Sequence, residues 1–169
     1  MFPRTDRFQP AGPTERQFFA ASDSRIHPND VRAGFAKYKN STVSWVGVVK
    51  SARLEEPKEY PEFGFWHIRA VHHYYDWKVD HSVQRERFFL SSKGEGEFVV
   101  IVPVKRYTAD QRVVEIEKTG NSYRPGNMIV AYGRPHKIEK GVIELRGFSN
   151  SVAAGDFSVN HSYGRTARD

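Results

Sequence analysis

The chain contains no cysteine. Disulfides, thiolate metal centres and cysteine nucleophiles are therefore excluded, and the compartment stays open. No apolar run approaches the roughly 18 residues of a membrane-spanning helix. The opening segment, MFPRTDRFQPAGP, lacks the apolar core of a secretory signal. These absences predict a protein without a transmembrane segment. It is either cytoplasmic or, if a signal segment has been removed, a periplasmic or outer-membrane-associated protein of the bacterial envelope. Also missing are a Gly-x-Ser-x-Gly elbow and any paired-carboxylate spacing. Gly94-Glu95-Gly96-Glu97 resembles a phosphate loop but lacks the Lys-Ser/Thr and the helix that complete one, so it reads as a hairpin turn. The expectation is a non-enzymatic protein with no cofactor.

What is present is polar, aromatic and mildly basic. A chain of 169 residues is one domain on size, long enough to bury about 70% of its unfolded surface. With 26 Lys and Arg against 20 Asp and Glu, the net charge is +6, which attracts anionic partners. Opposite charges are interspersed, so this is a bias and not a basic domain.

Along the chain, Pro3, Pro10 and Pro13 predict an extended N-terminal arm over 1–22. His27-Pro28-Asn29-Asp30 opens a helix, with Val31, Phe35 and Tyr38 at helical spacing. β-branched and aromatic residues predict strands over Thr42–Leu54, Phe65–Trp77, Phe98–Pro103, Asn127–Arg134 and Val142–Phe148. Gly47 predicts a bulge or bend in the first of these. Thr108–Glu117 carries a helix signal between the third and fourth strands, with strand the alternative its Val113, Val114 and Ile116 offer, and 149–169 reads as a tail poor in core residues. Five strands with a helix before the fourth is the layout of an OB-fold, a five-stranded Greek-key barrel. The expected organisation is therefore an arm (1–22), a mainly β, OB-like barrel with a leading helix (23–148), and a C-terminal tail (149–169).

The run Tyr38-Lys39-Asn40-Ser41-Thr42-Val43-Ser44-Trp45-Val46-Gly47 resembles the entry to the first strand in the Slp family of starvation-inducible outer-membrane lipoproteins. That family carries Tyr-x-Gly-x-x-Val-x-Trp-Gly-Gly there; here Asn40 and Val46 replace two of the glycines. Tyr123–Arg134 is similar to the family's fourth strand. The family's lipid-attachment cysteine is absent. The resemblance implies an envelope-associated OB module with no known catalytic residues.

The stretch Phe65–Pro103 is the densest in rings, histidines and charge. Strand alternation sends His67, Arg69, Val71, His73 and Tyr75 to one face and Trp66, Ile68, Ala70, His72 and Tyr74 to the other. His72 and His73 thus point apart, which leaves His73 with His81 as the weak candidate pair for a metal. The first functional expectation is a structural or adaptor subunit that binds other subunits or copies of itself. Its contacts would come from the arms and the connection between strands 2 and 3: Phe8, Phe18, Trp77, Lys78, Arg85, Arg87 and Phe157. The alternative is single-stranded nucleic acid stacked on Trp66 and Tyr75 and held by Arg69 and His73. A metal-binding enzyme is the third.

Overall fold

The computed structural model describes residues 13–56, 63–80, 85–105, 123–152 and 157–160. Among these residues, three short helices, α1 (Pro13–Ala21), α2 (Pro28–Ala33) and α3 (Phe35–Tyr38), accompany eight strands. These are β1 (Val43–Glu55), β2 (Phe63–His73), β3 (Tyr75–Asp80), β4 (Arg85–Ser91), β5 (Glu97–Lys105), β6 (Met128–Glu139), β7 (Val142–Val152) and β8 (Phe157–Asn160). Five of them pair in the order β1-β2-β5-β7-β6, and β6 returns to β1, so the hydrogen bonds form a ring. Every pairing in the ring is antiparallel except β5 with β7. The protein is mainly β, as its sequence predicts.

Period-two alternation turns one face of each ring strand inward. Trp45 and Val49, Trp66, Ile68 and Ala70, Phe98 and Val100, Ile129 and Ala131, and Ile143 and Leu145 form one buried cluster. Gly47 belongs to that inward series for want of space. A Cβ there would stand 2.9 Å from both the Ala70 methyl and the Phe98 ring. The expected bulge lies elsewhere, between Val49 and Ser51.

The helix predicted from His27 forms, with Pro28 at its start and the Asp30 carboxylate accepting from the His27 N–H at 2.9 Å. It breaks at Gly34 into α2 and α3. Val31 and Ile26 join the ring's core, and the Trp45 indole N–H donates to the Ile26 carbonyl at 2.8 Å.

The extended arm needs correction over its second half, because Pro13–Ala21 is helical. Pro13 occupies the first turn, where its missing N–H costs nothing. Phe18 and Phe19 pack against an outer cluster of Val46, Leu90, Met128, Val130 and Tyr132. The Tyr132 hydroxyl donates to Glu15, itself only 4% exposed, at 2.7 Å. Burial, and then this carboxylate, raise the Tyr132 pKa. Tyr132→Phe removes that bond and should cost about 1–3 kcal/mol. The check is native-state hydrogen exchange, with α1 amides exchanging faster while those of β2 and β5 stay protected.

Two further expectations change. The predicted strand Phe65–Trp77 breaks at Tyr74, and its end joins the connection to the next strand in a hairpin, β3 paired with β4, to which β8 adds in parallel. The tail is likewise structured in part, since β7 runs to Val152 and Phe157–Asn160 forms β8. The helix expected over Thr108–Glu117 lies outside the described residues.

Candidate binding groove

Two networks hold one end of the ring in shape. His72 is 3% exposed, and its Nδ1 accepts from the Glu95 N–H at 3.0 Å. Burial pushes its pKa down to about 4, so the ring is neutral at pH 7. The Tyr74 hydroxyl donates to Glu95, and burial, followed by this bond, raises the Tyr74 pKa to about 12. Gly94 presses on this site: a Cβ there would fall 1.7 Å from the His72 carbonyl oxygen. The Gly94–Glu97 turn is thus a packed element of the fold. Arg32 of α2 then braces two loops together. It donates to the Glu95 carbonyl at 2.7 Å and to the Gly141 carbonyl at 2.8 Å, which fixes the β6–β7 turn.

That turn forms one wall of a groove on the outer face of the ring. The cavity measures about 800 Å³ and continues into a notch of about 430 Å³; Glu55, His67, Glu144 and Arg146 line both. The register shows why these side chains meet. Ser51 pairs with Arg69, Arg69 with Val99, and Val99 with Glu144. One step along, Arg53 pairs with His67, His67 with Ile101, and Ile101 with Arg146. Phe65 and Pro103 form the next row. Outward positions of four strands therefore assemble in rows, with Val99, Ile101 and Pro103 of β5 as an apolar floor.

The walls are charged. Arg53, Arg69, Lys137, Lys140 and Arg146 face Glu55, Glu139 and Glu144. His67 lies 2.7 Å from Glu55, yet burial, aided by Arg53, lowers its pKa, so it adds no charge at pH 7. Arg53 lies 3.4 Å from Glu55, Lys137 is 3.6 Å from Glu139, and Arg69 is 2.8 Å from Glu97. Glu97 also takes Lys50 at 2.6 Å, and the two cations lower its pKa. Lys140 at the β6–β7 turn and Arg146 farther along β7 form no ion pair among the described residues, and neither does Glu144 between them, so the groove carries a small excess of positive charge spread along β7.

The residues singled out from the sequence are placed as follows. Alternation along β2 holds: Trp66, Ile68, Ala70 and His72 are buried, and His67 and Arg69 face outward into the groove. Trp66 is 9% exposed and packs edge-on to Tyr123 at 5.7 Å, so its ring is not available for stacking. Tyr75 packs against the outer cluster beneath α1, and it too is taken up by the fold. His73 donates from Nδ1 to the Ser91 carbonyl at 2.6 Å. No group of three or more metal-binding side chains occurs among the described residues. His81 and Phe8 lie outside the described residues. Phe18 packs on the chain's own Tyr132, with ring centroids 6.3 Å apart. Trp77 and Lys78 lie on β3, Arg85 and Arg87 on β4, and Phe157 pairs with Phe88 from β8. Of the predicted residues that the structure describes, the groove therefore gathers only Arg69.

Arg53, Phe65, Ile101, Lys140 and Arg146 are the residues that sequence reasoning missed. The alternation Ser51-x-Arg53-x-Glu55 and Val142-x-Glu144-x-Arg146 marks two outward faces. Joining them requires the parallel pairing of β5 with β7, which no local pattern encodes. No helix among the described residues is long and apolar enough to cross a membrane. No protein-family model matches the chain, and no curated protein matches it significantly.

Proposed function

We propose that this chain is a non-enzymatic adaptor protein built on an OB-like Greek-key barrel, holding a segment of a partner protein in the groove over β1, β2, β5 and β7. The cyclic order with a single parallel pair supports the OB-like reading. It is the strand order of a bent five-stranded barrel whose middle strands and loops face ligands. A place in the bacterial envelope rests on the Slp-like run Tyr38–Gly47 and its companion Tyr123–Arg134.

One observation carries the binding role: a groove of about 800 Å³ with Val99 at its floor and two cations without ion pairs among the described residues, Lys140 at the β6–β7 turn and Arg146 beside Ile101. Such a surface combines buried apolar contact with charge that selects a partner. Single-stranded nucleic acid is the second reading, favoured by the arginines. Against it stand three carboxylates in the same groove and the loss of Trp66 and Tyr75 as stacking platforms.

The test is isolation of the tagged chain with and without nuclease. A stoichiometric protein partner should survive nuclease and be lost from a Lys140→Glu/Arg146→Glu variant of unchanged melting temperature. Partner loss on nuclease treatment would favour the second reading, and full retention by the variant would remove the groove from the account.

A further inference from the structure

We infer that the groove recognises an extended acidic–apolar peptide, in which side chains alternate between aliphatic and carboxylate; this rests on the adaptor reading. The floor is a stripe along one strand: Val99 is half-buried, Ile101 is 8% exposed and Pro103 is exposed, with Phe65 beside it. Alternate residues of a strand repeat about every 6.8 Å, the same interval at which an extended peptide presents alternate side chains. Apolar side chains at that spacing lie over Val99, Ile101 and Pro103 in turn. The intervening ones project to the sides.

The sides select charge. Arg146 pairs with Ile101 across one edge of the stripe, and Arg53 reaches the same row through His67 across the other. Lys140 adds a cation at the turn; neither it nor Arg146 has an ion-pair partner among the described residues, while Arg53 shares Glu55 and the unpaired Glu144 flanks only the Val99 row, so the excess is positive. Carboxylates on the peptide meet these cations. Basic side chains in the same positions would be repelled.

A phosphodiester strand fits less well. Its charge recurs at every nucleotide, whereas Glu55, Glu139 and Glu144 are set between the cations. The floor is also aliphatic, with Phe65 and the His67 imidazole the rings lining the groove among the described residues; longer series of rings are what hold consecutive bases.

The probes are fluorescein-labelled peptides of about eight residues, long enough to cover the stripe. One alternates leucine with glutamate, one alternates leucine with lysine, and a labelled oligothymidylate stands for nucleic acid. Anisotropy at about 50 mM salt should show the leucine–glutamate peptide binding at least tenfold more tightly than the leucine–lysine peptide. Arg146→Glu should weaken it by at least about tenfold. Ile101→Asp tests the floor, and Val99→Asp, at a half-buried site, keeps the test alive if the Ile101 variant unfolds. Equal binding of the two peptides, or indifference to Arg146→Glu, overturns the inference. So does oligothymidylate binding in the groove while neither peptide binds. Loss of a native partner from the groove variant, with no preference for the acidic peptide, would leave the adaptor reading standing and remove only this assignment.

Discussion

Trp45→Ala should lower stability by about 3–5 kcal/mol, the range for deleting a large buried aromatic side chain. The indole is 1% exposed and packs edge-on to Phe98 at 5.5 Å and to His72 at 6.3 Å. Its N–H donates to the Ile26 carbonyl, so the substitution also strips a buried acceptor of its partner. A domain stable by 5–15 kcal/mol loses a large share of that margin. Urea unfolding should show a much lower midpoint with an unchanged slope. Trp45→Phe should recover most of the packing but not the bond to Ile26. A variant as stable as wild type would mean that Trp45 is not packed in the ring's core and bonded to Ile26 as described.

Acidification should produce the second large effect. The His72 pKa falls from 6.5 to about 4 on folding, chiefly through burial. An unfolded chain therefore binds this proton below pH 6.5 while the folded one does not, so stability falls as pH drops from 6.5 towards 4. The lowered pKa of His67 acts with the same sign. A shift of this size corresponds to on the order of 3 kcal/mol for His72. His72→Gln removes the titration and keeps a side-chain acceptor for the Glu95 N–H. Its urea midpoint should change much less between pH about 7 and pH about 4.5 than that of the wild type. Equal pH dependence in both proteins would place His72 in solvent.

The fold was legible wherever local pattern governs it. β-branched runs marked all five ring strands, and the alternation along Phe65–His73 named the buried face of β2 correctly. Pro28 and Asp30 marked the start of α2. What escaped depends on long-range pairing or on polar segments. β3 and β4 are charged enough to read as a loop and gain their regularity from each other, while β8 is a four-residue strand that exists through its partner β4. α1 was hidden by its prolines, although Pro13 starts the helix and leaves its interior intact.

The candidate site was harder to read because no motif encodes it. Trp66 and Tyr75 have the chemistry of stacking platforms but are consumed by packing. The residues that line the groove are ordinary Arg, Lys, Glu and Val in alternating strands, brought together by the β5–β7 register and by Arg32 holding the β6–β7 turn.

The groove is the central claim, and amide chemical-shift mapping of the labelled protein during titration with its isolated partner, or with the leucine–glutamate peptide, tests it most directly. The account predicts perturbations concentrated at Ser51–Glu55, His67–Arg69, Val99–Pro103 and Val142–Arg146, saturating together and absent in Arg146→Glu. Shifts confined to α1 or to the β3–β4 hairpin, with the groove silent at saturation, would contradict it.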